Sequence, residues 1–234
     1  MEAKKELGFF EKLAGIFISP RETFEALDRK PTWLVPFLII TAVVLVMTVM
    51  TRDIGMQDMM ARFEASDMPQ EQIDRIVEQS QGPGRYIQMA AIPLFMIVAW
   101  CFFAGILLFT GNTILGGKST FKKMLSMVSW TSLIGVLSSI IHTALIITKG
   151  TTQGVTTSLA LLLADPEPGA KPSFLFRLLS KFDVFTIWEM VLWAIGTSVL
   201  YRFSMKKSAG MVAALWVLWV IISVAVGGLF HFGM

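Results

Sequence analysis

Five stretches of the chain are nearly free of charge and long enough to cross a lipid bilayer, which takes about 20 mostly apolar residues in a helix. They fall at residues 33–50, 87–110, 124–148, 184–201 and 211–232. The second is interrupted by Pro93, and the fourth contains an acid, Glu189. A sixth apolar stretch, 156–164, stops after about nine residues at Asp165-Pro166, too short to span, and reads as interfacial or re-entrant. The pattern predicts an all-α integral membrane protein. Its core is a five-helix transmembrane bundle over 33–232, preceded by amphipathic interfacial helices at 1–32 and carrying an extramembrane helical hairpin.

The polar segments have periodicity of their own. Phe9, Phe10, Leu13, Ile16 and Phe17 recur at helical spacing opposite Lys5, Glu6 and Lys12, which predicts a short helix lying at the membrane interface. Ser19-Pro20-Arg21-Glu22 reads as a capping box that starts a second helix, ending near Asp28 ahead of Pro31. A lipid-surface anchor is favoured over a partner-docking element here, because amphipathic character alone selects a lipid surface. Residues 54–80 predict two short helices in an external loop spanning 51–86. Asp67 is placed to cap the second, Gln70 stands at its third position, and Gly82-Pro83-Gly84 ends the hairpin. The segment 149–183 is a second external loop.

Composition strengthens the membrane assignment: 54% of the residues are hydrophobic and 16% charged, where soluble domains carry about 25% charged residues. The net charge of +3 is too small for a nucleic-acid partner, and the basic residues cluster beside the apolar runs. Counting Lys and Arg in the short loops gives the orientation. Six basic residues at 1–32, Lys118, Lys122 and Lys123 in the 111–123 loop, and Arg202, Lys206 and Lys207 in the 202–207 loop belong to the cytoplasmic side. The 51–86 loop carries four Arg against seven acids, and the 149–183 loop four basic residues against three acids; both are placed outside. The N-terminus is then cytoplasmic and the C-terminus external. The first 30 residues contain no continuous apolar stretch, so no signal peptide is expected and the first span is retained.

Catalytic patterns are missing. Two histidines, His142 and His231, exclude HExxH, and no GxxxxGK[ST], GxSxG or GxGxxG occurs. Gly116-Gly117-Lys118-Ser119 lacks the upstream glycine of a phosphate loop and reads as a tight turn. Asn112 is not a glycosylation acceptor, and the single cysteine, Cys101, excludes disulfides and cysteine-based zinc sites. The external acids lack the spacing of a calcium loop. No enzyme, metal or cofactor is expected.

Polar residues inside the spans point to function, because a charge at the centre of a membrane helix costs at least ~2.5 kcal/mol. His142 and Glu189 each lie about six residues, roughly 9 Å, inside the outer boundary, so they form a candidate intramembrane pair. Ser129, Ser132, Gly135, Ser139 and His142 recur at steps of three and four, a small polar stripe suited to helix packing. A hydrogen-bonded packing pair is favoured over a proton- or cation-sensitive one. Asp183 is placed to accept the first amides of the fourth span, and Trp188 to sit in the outer aromatic belt. Gly210 with Ala214 and Ser223 with Gly227 suit either internal packing or a homodimer.

Several segments together resemble the prokaryotic branch of the Yip family (Yip-one domain, Ypt/Rab-interacting membrane proteins). They are Ser19-Pro20-Arg21-Glu22-Thr23-Phe24, Pro31-Thr32-Trp33, Gly116-Gly117-Lys118-Ser119-Thr120-Phe121, Thr157-Ser158-Leu159-Ala160, and Phe182-Asp183-Val184-Phe185-Thr186-Ile187-Trp188 with the later Gly196. The resemblance implies five spans, a cytoplasmic N-terminus and no enzymatic activity. Eukaryotic relatives bind prenylated Rab-type GTPases in vesicle transport, but the long N-terminal region and the Asp-Leu-Tyr-Gly-Pro motif are missing here, so Rab-type GTPase binding is not expected. Glu189 stands where the family pattern is usually uncharged. The expected function is a membrane-organising or partner-binding scaffold in a prokaryotic inner membrane, with lipid, a second copy or another membrane protein as partner. The alternative is a small transporter or channel using His142 and Glu189.

Overall fold

The computed structural model of the chain describes residues 7–64, 68–82, 84–164 and 172–229. The protein is an all-α integral membrane protein. Among the described residues there is no strand, only an isolated antiparallel bridge between Ser158 and Asp183. In chain order the helices are α1 (Phe9–Ile18), α2 (Pro20–Arg29), α3 (Leu34–Glu64), α4 (Gln70–Gln81) and α5 (Gly84–Phe109), the last continued by a π-helical turn, Thr110–Ile114. Then come α6 (Phe121–Thr131), α7 (Leu133–Lys149), a short 3-10 turn at Leu159–Leu162, α8 (Phe174–Leu179), α9 (Val184–Tyr201) and α10 (Met205–Leu229). Five helical segments are long and apolar enough to cross a membrane: Leu34–Glu64, Gly84–Ile114, Phe121–Lys149, Val184–Tyr201 and Met205–Ala225. Large apolar side chains such as Leu94, Phe95, Phe102 and Ile221 point away from the protein, as spans facing lipid require.

Two compact units divide the chain. The first comprises Met1–Ile40, Ile97–Ile134 and Ile187–Leu218. Its core is densely filled, with Ile16, Phe24, Leu27, Leu107, Met124, Met127, Trp130 and Leu192 all essentially sealed. Here α2 packs on both α1 and α6. The apolar face of α2, expected to lie against lipid, is therefore covered by protein: Thr23, Phe24, Ala26 and Leu27 are all buried. Only α1 keeps apolar residues outward, with Phe10 and Ile18 exposed two turns apart.

The capping box expected at Ser19 does not form. Ser19 ends α1 as well as starting α2, so its amide is already donated to the Gly15 carbonyl and is not free for the Glu22 carboxylate. With ψ at 60° its hydroxyl makes no cap either, and the Thr23 hydroxyl donates to the Ser19 carbonyl instead. Pro20 holds the first helical position, as expected.

The third span runs continuously over Phe121–Lys149, as the apolar pattern predicted, with one irregular residue between α6 and α7: Ser132, which forms a turn yet still donates its amide to Val128 O at 3.0 Å. The irregularity has a local cause. Hydroxyls of Thr131 and Ser132 both donate to the Val128 carbonyl, at 2.9 Å each, and Ser129 donates to Ser126, so side chains compete with the backbone ladder over four residues. The last span starts earlier than its apolar pattern, at Met205, and only Arg202, Phe203 and Ser204 connect it to α9.

The second unit comprises Thr41–Met96, Gly135–Thr186 and Trp219–Met234. The two short helices expected at 54–80 are instead the far half of α3 and α4. Nothing stops α3 after residue 50, since Gly55 alone weakens a helix by only about 1 kcal/mol and no proline follows before Glu64. Helix α4 folds back along it, with Arg52 donating to the Ser80 carbonyl at 3.3 Å. Asp58, farther along α3, holds residues 151–152 through the amide of Thr152 at 2.6 Å and the hydroxyls of Thr151 and Thr152 at 2.9 and 2.5 Å. The 3-10 turn Leu159–Leu162 buries Ala160 and exposes Leu161 and Leu162. Asp67, Pro83, Asp165-Pro166 and residues 230–234, all invoked in the sequence analysis, lie outside the described residues.

Candidate functional site: a polar layer between α6 and α9

Within the first unit, hydroxyl groups at the end of α6 face α9. Trp193 Nε1 donates to the Thr131 hydroxyl at 2.8 Å, and Ser132 Oγ lies 3.3 Å from Glu189 Oε1. Glu189 and Trp193 stand four residues apart and therefore share one face of α9. The ring of Trp193 meets Phe103 edge-on, and that of Trp188 meets Phe17 of α1. Trp188, expected in an aromatic belt, thus packs against the N-terminal helix. The layer joins α1, α5, α6 and α9 through aromatic edges and hydroxyls.

Chemically the weak point is the carboxyl. Ser132 has one hydroxyl proton, and its closest acceptor is Val128 O at 2.9 Å, while the Trp193 indole N–H, the other donor at the carboxyl, is also given to Thr131, so Glu189 receives only shared hydrogen bonds. A charge so poorly compensated in a spanning helix is expensive. His142, in the second unit, has partners on its own helix: Nδ1 lies 3.0 Å from the Ser138 carbonyl and 3.3 Å from its hydroxyl. Among the described residues no group of three His, Cys, Asp or Glu is placed to hold a metal ion.

The serine stripe divides at Ser132. Ser129 is buried and Ser132 reaches α9, but a Cβ on Gly135 would meet open space, and Ser139 bonds back to the Gly135 carbonyl at 2.8 Å. Gly210, read as suiting either internal packing or a homodimer, has nothing of its own chain within 4 Å of where a Cβ would be, so it does not serve internal packing. Close helix approach is found at other glycines. A Cβ on Gly196 would meet Met127 Sδ at 2.5 Å and Phe24 Cε1 at 3.3 Å. One on Gly117 would meet the rings of Tyr201 and Phe203 at 2.6 and 2.7 Å, and one on Gly111 would clash with the hydroxyl end of the Tyr201 ring. Tyr201 is thereby wedged between two glycines, its hydroxyl donating to Leu107 O at 3.0 Å.

The segments that carry the family resemblance meet in pairs. Thr32 donates its amide to Ser126 Oγ at 3.1 Å, and its carbonyl accepts from that hydroxyl at 2.9 Å and from Trp130 Nε1 at 2.8 Å. Asp28 pairs with Lys123 at 2.5 Å, two residues past Phe121, the first residue of α6. Asp183 caps α9 by accepting the amides of Phe185 and Thr186 at 2.8 and 3.3 Å, and it also takes the Thr157 hydroxyl, while Leu159 N donates to Phe182 O at 3.0 Å. The Gly116–Ser119 turn places Gly116 at φ 68° and is closed by Asn112, whose amide bonds Ser119 O and N at 3.1 Å each. These motif residues hold helices together.

An all-α membrane protein with five spans and motifs of this kind defines a class, and the comparisons agree. Residues 14–227 match the Yip1 domain, and the chain belongs to that family. It is similar to "Membrane protein YknW" of Bacillus subtilis (strain 168), with 29% identity over 206 residues, covering 87% of this chain and 83% of the relative. No solved structure matches it.

Proposed function

We propose that the protein is a non-enzymatic organiser of membrane partners, set in a prokaryotic inner membrane with its N-terminus cytoplasmic and its C-terminus external. The observation that carries this reading is the docking of the N-terminal helix pair on the spans. Phe24 is sealed against Gly196 and Met127, and Asp28 is paired to Lys123. A segment held this way presents a preformed surface, and preorganisation lowers the ordering cost of recognising a partner. Phe10 and Ile18 on the outer side of α1 give that surface an apolar edge for lipid or a neighbouring membrane protein.

A second reading, a small transporter or channel, draws support from the ionisable Glu189 inside a span beside the irregular residue Ser132, since ionisable residues within spans mark transport pathways. Proton and monovalent-cation flux in proteoliposomes between pH 5 and 8, a window that covers histidine titration, separates the two. The scaffold reading expects no flux above protein-free vesicles for either the native protein or Glu189→Gln. Flux that Glu189→Gln abolishes in a folded protein would replace it with the transport reading.

A further inference from the structure

At the end of α9 a cleft of about 410 Å³ opens between that helix and α2. Its charged lining is Arg21, Glu25, Asp28 and Arg29 from α2 and Arg202 from the turn after α9, with Phe203 beside them. The two acids have cations of their own: Glu25 faces Arg21 at 3.7 Å, one turn away, and Asp28 binds Lys123 at 2.5 Å. Neither Arg29 nor Arg202 forms an ion pair with a described carboxylate. The cleft therefore holds guanidinium groups brought together from positions more than 170 residues apart in sequence, with positive charge in excess.

Arg202 adds a second, independent observation. It has φ at 56°, the left-handed conformation that ends helices and that glycine adopts without penalty, and among the described residues no other non-glycine does so. An arginine there carries roughly 1 kcal/mol of backbone strain. Strain of this kind persists where the side chain has a use. The turn also lies where the apolar stretch of α9 ends at Tyr201, the level at which lipid phosphates sit beside a span.

We propose that this cleft binds the phosphate of an anionic phospholipid headgroup, with Arg29 and Arg202 as its main donors and Phe203 flanking the glycerol end. Guanidinium forks suit phosphate oxygens because they donate two parallel hydrogen bonds to them. The site goes beyond the organising role proposed above and does not depend on it.

The test titrates the purified full chain in detergent with short-chain phosphatidylglycerol, short-chain phosphatidylcholine and inorganic phosphate, reading Tm, which a ligand of the folded state raises. Phosphatidylglycerol is expected to raise Tm in a saturable way and phosphatidylcholine to leave it unchanged. Arg29→Gln and Arg202→Gly should each weaken the apparent affinity about tenfold, as loss of a charge-assisted hydrogen bond does, while Arg75→Gln, on α4, leaves it intact. Arg202→Gly also relieves the left-handed strain, so its ligand-free Tm should equal or exceed that of the native chain, which separates lost binding from lost folding. An equal response to inorganic phosphate would support the anion site with a free phosphate as its ligand. A phosphatidylglycerol response that survives both arginine substitutions, or is matched by phosphatidylcholine, or is missing altogether, would overturn the proposal.

Discussion

Gly111→Ala is expected to destabilise the protein by about 2–4 kcal/mol, the combined scale of an overpacked core and a lost hydrogen bond. Helix propensity alone gives the opposite sign, since alanine is favoured over glycine by about 1 kcal/mol inside a helix. The clash decides because Gly111 is buried in the π-helical turn with the Tyr201 ring lying where the new methyl would go. Tyr201 has nowhere to retreat. Gly117 closes its other side, and moving the ring breaks the 3.0 Å bond from its hydroxyl to Leu107 O. Thermal unfolding in detergent, followed through exposure of the single thiol at Cys101, measures the effect. The same substitution in a Tyr201→Ala background should lose most of its cost, because the ring it collides with is gone. A Gly111→Ala protein as stable as the native chain would show that the glycine–tyrosine wedge does not hold the helix ends together.

The second large effect is expected at Trp130. Its side chain is 2% exposed, and its indole nitrogen reaches the Thr32 carbonyl just before α3 begins. Trp130→Ala removes a buried aromatic, a change that costs about 3–5 kcal/mol. Trp130→Phe should cost only about 1 kcal/mol, because most of the ring volume remains and Thr32 O keeps its bond from Ser126 Oγ at 2.9 Å. The contrast between the two variants, in the same unfolding assay, separates packing from hydrogen bonding. Equal losses would mean that the indole N–H, rather than the ring, fixes the link between α2 and α3.

Much of this architecture can be read from the order of residues. Length and lack of charge locate the five spans, because a bilayer excludes unpaired polar backbone and leaves helices as the solution. Asp183 is legible as a helix start since the chemistry of a cap is local. What the sequence hides is what depends on distant partners. The apolar face of α2 has the periodicity of a lipid-surface helix, and nothing in residues 20–29 says that Gly196 and Met127 will cover Phe24 instead. The irregular turn at Ser132 is hidden in a similar way. Three hydroxyl residues in four positions are a signal for a weakened ladder, yet a run of Ser and Thr in a span reads equally well as a packing stripe. Glycines give the plainest lesson: Gly135 has the spacing of a close contact but open surroundings within the chain, whereas Gly111 and Gly117 lie beside an aromatic ring. Spacing identifies a face, and only the fold determines what meets it.

The docking of the N-terminal helices onto the spans is the feature on which the proposed role rests, and the pairing of Asp28 with Lys123 at 2.5 Å offers the most direct test. With Cys101 replaced by alanine, cysteines at positions 28 and 123 in the membrane-embedded chain are treated with a short bifunctional thiol reagent. Near-complete cross-linking within one chain is the expected result, with none in a chain that carries either cysteine alone. Thiols at 28 and 123 that each react with a monofunctional reagent but are never joined would place α2 on the lipid surface and contradict the account.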